Sequence, residues 1–362
     1  MNRDEIHLIE TDRRRGRGAL TNRTGRFERT ETVRVHDGWD LPEEMPPVRT
    51  EVREERPRSV INYVRSPDLP FDRSLNPYRG CEHGCIYCFA RPTHAWLGLS
   101  PGLDFETRLV ARPDAPVVLA TELRRRGYAV APVAIGTNTD PYQPLEKERR
   151  IMRACLQVLL DFRHPVAIVT KGTLIERDVD ILTQLAALGL VRVGISLTTL
   201  DQGLSRAMEP RVPLPARRLK VIDRLSKAGI PVRLMTSPIV PGLNDQEIEA
   251  LLVAGKAAGA QAASWIMLRL PLEVSPLFRE WLEVQYPMRA KRIMARLREM
   301  HGGRDYSAQW GRRMRGDGEY AAMIARRFKA ATRRLGLDAK QPDLRCDLFR
   351  PPPRAGDQLP LF

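Results

Sequence analysis

The chain lacks any apolar run long enough to span a membrane, and its opening residues, MNRDEIHLIE, lack the apolar centre of a secretory signal. The expectation is a cytoplasmic protein with no membrane association. Cysteine is scarce, with five in 362 residues, too few and too unevenly placed for a disulfide framework. Three of them crowd into residues 81–88, while Cys155 and Cys346 stand alone. In a reducing compartment such a cluster reads as a metal site. No internal repeat is visible, so a repeat architecture is not expected. What the chain has in excess is positive charge, a formal net +15 carried mostly by arginine, in runs such as Arg13–Arg14–Arg15, Arg124–Arg125–Arg126 and Arg312–Arg313. That balance favours a polyanionic partner, most simply nucleic acid; an arginine-rich composition without a nucleic-acid role is the bland alternative. The 43% hydrophobic content is enough for one large α/β core or two smaller domains.

Residues 1–58 are rich in Arg, Thr, Glu and Pro and read as a flexible basic arm. From there to about residue 272 short apolar runs alternate with amphipathic stretches. Strands are expected at about 72–78, 133–137, 166–170, 191–197, 232–238 and 264–268. Helices are expected at 145–162, 176–189, 213–229 and 245–259, with Gly189 and Gly229 just past helix ends. Six βα units are too few for a closed eight-stranded barrel and fit a partial, open (βα)6 barrel over residues 59–272. Long basic helices at 274–300 and 316–335 predict a C-terminal helical cap over 273–349, followed by a Pro/Gly linker and tail at 350–362.

The segment NPYRGCEHGCIYCFARP (76–92) spaces its cysteines as C-x3-C-x2-C. Three thiolates in one compact loop converge on one metal centre, and thiolates are the standard ligands of iron–sulfur clusters. A four-iron cube with three protein ligands keeps one iron open for a cofactor or substrate. Two rivals remain at this point. A structural zinc would need His83 or His94 as fourth ligand, neither at a familiar zinc-finger spacing, and a cube closed by Cys346 would be an electron carrier.

This spacing, with the aromatic Tyr87 before the third cysteine, resembles the signature of the radical S-adenosylmethionine (SAM) superfamily. The motifs NPYRGCEHGCIYCFAR, DPYQPLE, TKGTLIERDVDIL, SLTT…MEPR…RR and SPIVPGLND are similar to its spore photoproduct lyase-like (DNA repair photolyase-like) branch, over residues of about 60–270. The resemblance implies a [4Fe–4S] cluster held by Cys81, Cys85 and Cys88, with SAM on its open iron. It also implies an external electron donor, and reductive cleavage of SAM to methionine and a 5′-deoxyadenosyl radical that abstracts a hydrogen atom. Cofactor contacts are expected at the strand ends, where open α/β sheets place ligands. Besides Tyr87 these are Asn138 or Asp140 for the SAM ammonium, Lys171 for its carboxylate, Ser196 for ribose or carboxylate, and Arg211 for a carboxylate or a substrate phosphate. Three of these have a plainer reading: an Asx turn at 138–140, a solvated lysine at Lys171, and a hydroxyl bonded to backbone at Ser196.

The resemblance has one gap. The spore photoproduct lyase proper carries a further cysteine as hydrogen donor after the next main strand, where this chain reads Thr137–Asn138–Thr139–Asp140. Cys155, at helical spacing with Ile151, Leu156 and Leu159, reads as core, so thymine-dimer splitting does not transfer with the resemblance. The final Gln358, Leu359, Leu361 and Phe362 resemble the peptide that docks bacterial repair proteins on the β sliding clamp. The reading as a whole is a radical SAM enzyme acting on nucleic acid, with DNA repair the first expectation. The alternatives are modification of a protein or small molecule, or a non-enzymatic clamp-bound iron–sulfur scaffold.

Overall fold

The computed structural model describes residues 8–28 and 47–353. The tail residues Gln358, Leu359, Leu361 and Phe362, and residues 1–7 and 29–46 of the expected arm, lie outside the described residues. The strands are β1 (Glu51–Glu54), β2 (Ile61–Tyr63), β3 (Arg73–Leu75), β4 (Tyr78–Arg79), β5 (Arg108–Ala111), β6 (Val133–Ile135), β7 (Val166–Thr170), β8 (Val191–Ser196), β9 (Val232–Ile239) and β10 (Ala262–Met267). The helices are α1 (Asp104–Thr107), α2 (Ala115–Leu123), α3 (Glu146–Arg149), α4 (Ile151–Asp161), α5 (Val179–Ala187), α6 (Gln202–Met208), α7 (Pro215–Lys227), α8 (Ile248–Ala257), α9 (Val274–Gln285), α10 (Pro287–Met300) and α11 (Gly318–Leu335).

The main sheet runs β10-β9-β8-β7-β6-β3-β2. Each neighbouring pair from β3 to β10 is parallel, and β2 joins antiparallel at the edge. This is the expected partial (βα)6 barrel. Strands β6 to β9 are rich in β-branched residues, and inward ones such as Val166, Ile168 and Thr170 in β7 are buried. Helices α4, α5, α7 and α8 cover the sheet with apolar stripes; in α4 the stripe is Ile151, Met152, Cys155, Leu156 and Leu159. A smaller sheet, β1-β5-β4, leads straight into the cysteine loop.

Two expected helices are broken in the structure. The 145–162 stretch splits at Arg150, whose φ of +52° ends α3 and opens α4. The buried Glu146 carboxylate accepts from Met152 N at 3.0 Å and Arg153 N at 3.3 Å, capping α4 across the break. The 274–300 stretch is two helices because Pro287 cannot donate its backbone N–H and clashes with the preceding turn.

The open seam between the outer strands β10 and β2–β3 is spanned by residues 309–316. Met267 N of β10 donates to Met314 O at 2.9 Å. From the same segment Arg313 reaches Asp68 and Ser66, both at 2.6 Å, in the turn between β2 and β3. An exposed sheet edge is thereby covered. Within the expected arm, residues 17–21 are buried against the cysteine loop. The approach is close: a Cβ on Gly18 would meet the carbonyl oxygen of Gly84 at 1.9 Å. Among the described residues no helix is long and apolar enough to cross a membrane.

Candidate functional site

The cysteine loop leaves β4 through Gly80 and returns toward the barrel at Arg91. Cys81 N donates to Phe105 O at 2.9 Å, Ile86 N to Met208 O at 3.1 Å, and Cys88 N to Cys85 O at 3.2 Å. Arg91 ties the loop to the following segment: its guanidinium donates to the loop carbonyls Cys85 O (3.0 Å) and Gly84 O (3.2 Å) and to Pro101 O (3.2 Å) and Gly102 O (2.9 Å) beyond it. The charge of Arg91 is met by Glu106 at 2.5 Å, and both side chains are wholly buried. Glu106 also accepts from Gly18 N (2.9 Å) and Ala19 N (2.8 Å), which ties the N-terminal segment to the loop. One buried ion pair therefore organises the loop from behind.

All five cysteines are free; Cys81 and Cys85 are buried and Cys88 is partly so. Burial pushes the Cys81 thiol well above its ordinary pKa, with Asp140 and the other two sulfurs adding to the effect. Burial likewise raises Cys85 to about 12. Anionic sulfurs at Cys81 and Cys85 are unfavourable here even with Lys171 favouring the Cys85 thiolate, so the donor set fits a cationic cluster. Among the described residues no three His, Cys, Asp or Glu side chains converge on a single metal ion. The ligands of a four-iron cube bind different irons and need not converge in that way.

Beside the loop lies a buried polar hub that the sequence reading did not pick out. Glu209 accepts from Thr198 Oγ1 at 2.7 Å, from Arg218 Nη2 at 2.6 Å, and from the Tyr87 hydroxyl. Burial opposes its charge, but Arg218, Lys171 and these hydrogen bonds more than offset that, and Glu209 titrates below its ordinary range. Arg218 also donates to Ser196 O at 2.9 Å and Ser205 Oγ at 3.1 Å. The sequence carried a signal: Arg218 falls on the buried face of α7, in register with Pro215, Ile222 and Leu225. A charge on an apolar stripe implies a buried partner.

The sequence-predicted residues separate into two groups. Tyr87 and Lys171 come together at the hub, with the Lys171 Nζ 5.7 Å from the centre of the Tyr87 ring. Burial disfavours that ammonium, yet Cys85, Glu209, Asp140 and Cys88 outweigh it and raise its pKa. Asp140 and Ser196 instead serve the backbone. Asp140 accepts from Thr170 Oγ1 (2.6 Å), Lys171 N (2.8 Å) and Tyr142 N (2.9 Å), with His83 Nδ1 at 3.3 Å. Burial works against its charge, but His83 and these donors overcome that and hold its pKa at about 2. The Ser196 hydroxyl donates to Ser237 O at 3.2 Å. Asn138 is half-buried, with its N–H donating to Asn76 Oδ1 at 3.1 Å. Arg211 sits at the rim beside Glu82, 3.4 Å away. The turn out of β6 needs Gly136, at φ +92°, where a Cβ would lie 2.0 Å from Val169 O. Cys155 lies buried on α4 and Cys346 hydrogen-bonds Leu344 O, neither in the cysteine loop.

Comparison with known proteins agrees with this geometry. The family model described as the radical SAM superfamily matches residues 75–253. An uncharacterized protein of Mycobacterium tuberculosis (strain ATCC 25618 / H37Rv) is 37% identical over 247 residues, covering 67% of this chain and 72% of that protein. One of Methanocaldococcus jannaschii is 25% identical over 239 residues, covering 66% and 85%. Among solved structures, a spore photoproduct lyase complexed with dinucleoside spore photoproduct is similar in fold, with a TM-score of 0.57, 14% identity, and coverage of 78% of this chain and 79% of that one. A double mutant of that enzyme, with bound AdoMet and the same dinucleoside, gives a TM-score of 0.55 at 14% identity, covering 78% of each chain.

Proposed function

The chain belongs to the radical SAM superfamily, whose cofactors are a [4Fe–4S] cluster and SAM, and from that premise we propose that Cys81, Cys85 and Cys88 hold the cluster and that the substrate is nucleic acid. Three free cysteines in one loop at the C-terminal edge of a parallel sheet, backed by the buried Arg91–Glu106 pair, carry the first part. When bound, the cluster and SAM supply reductive cleavage, driven by an external electron donor, to methionine and a 5′-deoxyadenosyl radical that takes a hydrogen atom from substrate. The protein's own part is placement. Arg91 fixes the loop carbonyls, Glu209 holds the Tyr87 hydroxyl and neutralises Arg218, and Lys171 presents a cation to the SAM carboxylate. Asn138, Asp140, Ser196 and the rim residue Arg211 remain further candidates for cofactor or phosphate, Asp140 and Ser196 also bonding to the backbone of neighbouring strand ends. The net charge of +15 supports a polyanionic substrate.

The test is anaerobic turnover of the iron- and sulfide-reconstituted protein with SAM, reductant and oligonucleotides deuterated in base or sugar. Deuterium is expected to appear in 5′-deoxyadenosine. SAM cleavage without label from any nucleic acid would move the substrate to a protein or small molecule, and no cleavage by a loaded cluster would remove the enzyme reading. Lys171 has a separate readout. Lys171→Ala deletes a charge-assisted contact worth roughly 1.5–3 kcal/mol, so the Kd for SAM is expected to rise on the order of 10- to 100-fold. Equilibrium dialysis with cluster-loaded protein measures this, and an unchanged Kd would assign Lys171 to the loop rather than to SAM.

A further inference from the structure

We propose that the barrel mouth carries a stacking strip for unpaired nucleic acid, built from Phe27, Trp96 and Phe89 with Arg26 and Arg269 set among them. The inference rests on the nucleic-acid reading above and narrows it to single strands. Trp96 is 71% exposed, Phe27 50% and Phe89 46%. Any one exposed aromatic is ordinary; here two sets of ring–guanidinium contacts meet on the segment after β10. Phe27 and Trp96 meet with ring centres 4.5 Å apart, and the Arg26 guanidinium lies 4.7 Å and 5.7 Å from those centres. Arg26 is in turn clamped by both oxygens of Glu273, at 2.8 Å and 2.9 Å. Glu273 shares the segment after β10 with Arg269, whose guanidinium lies 4.7 Å over Phe89 and 6.0 Å over Tyr306. Phe89 directly follows Cys88. The strip therefore runs from the N-terminal segment, across the end of β10, to the cysteine loop.

Its chemistry matches an unstacked strand. Exposed rings offer π faces to bases without regard to sequence, and guanidinium planes add stacking and phosphate attraction. The Arg269 Nε is buried with no hydrogen-bond partner among the described residues, and its guanidinium lies against the Phe89 and Tyr306 rings. Paired duplex hides the base faces that such a strip would use. An enclosed site would also reach the atoms of a base only after the nucleotide leaves the stack.

The full-length, cluster-loaded protein should be titrated by fluorescence anisotropy with short single-stranded DNA, single-stranded RNA and duplex DNA over a range of salt. Single strands are expected to bind at least tenfold tighter than duplex, and the DNA and RNA arms identify which strand is preferred. Trp96→Ala and Phe27→Ala should each weaken single-strand binding by on the order of tenfold with an unchanged salt slope, because a stack and not a phosphate contact is lost. Arg269→Gln should instead lower the slope by about one. Iron content and circular dichroism verify that each variant is folded. Equal or tighter duplex binding, or aromatic variants that bind like wild type, would overturn the strip while leaving the nucleic-acid reading intact. Absence of salt-dependent binding to every probe would overturn both.

Discussion

Replacing any one of Cys81, Cys85 or Cys88 by alanine is expected to reduce SAM cleavage to the uncatalysed background and to strip most of the iron from the reconstituted protein. The size of the effect follows from where these sulfurs sit. Burial resists thiolate formation at Cys81 and Cys85, with the other two sulfurs adding to the resistance at Cys81 and Cys88 adding to it at Cys85. Only a cationic core offsets that, and binding it releases the thiol protons. With two thiolates left, the cube has two irons without protein ligands in a loop whose backbone is already fixed by Arg91 and by the pairing of Ile86 with Met208. The loop has no slack with which to recruit a substitute. His83 is turned toward Asp140, and Cys346 hydrogen-bonds its own Leu344 carbonyl. Cys346→Ala and Cys155→Ala are the controls, and both should retain iron and activity; Cys155 lies in the α4 stripe, so its loss costs some stability through a small cavity. Iron per chain, visible absorbance and 5′-deoxyadenosine yield measure the outcome. A single variant of the three that keeps both cluster and turnover would break the ligand assignment.

What could be read from the sequence was local. The six parallel strands announced themselves as short apolar runs, β-branched in β6 to β9, and the cysteine spacing announced a metal site. The breaks at Arg150 and Tyr286–Pro287 were harder. The first depends on Glu146 turning inward to cap α4, a contact that periodicity does not register. The second was written in Pro287 but overridden by a long amphipathic pattern. At the site, a residue at a strand end reads the same whether it faces a ligand or the backbone. Asp140 and Ser196 look like ligand groups in sequence, which does not register their hydrogen bonds to Lys171 N and Ser237 O. The hub escaped because its members are far apart in the chain: Tyr87 meets Glu209 across 122 residues. The docking of residues 17–21 was hidden for the same reason, since its anchor is Glu106, 88 residues beyond Gly18.

Glu106→Ala should accordingly cost roughly 3–5 kcal/mol of stability, the range for removing one partner of a buried pair. The change leaves the Arg91 guanidinium charged and desolvated, and leaves the N–H groups of Gly18 and Ala19 without an acceptor. Both defects converge on the back of the cysteine loop, so the loop and the 17–21 segment should loosen together. Hydrogen exchange is the measurement that separates this from general destabilisation. The amides of Gly18 and Ala19, and of Ile86 and Cys88 in the loop, should lose protection well before those of β7 and β8 do. Iron retention after chelator challenge should fall with them. Denaturant unfolding supplies the magnitude, with a double variant, Arg91→Met with Glu106→Leu, as the counter-test. Removing both charges eliminates the unpaired ion, so this variant should recover much of the midpoint. It still lacks the four carbonyl contacts that Arg91 made, so its loop amides should stay unprotected and its iron labile. If instead the double variant holds iron as wild type does, the pair serves stability alone, and the loop is positioned by its own backbone hydrogen bonds.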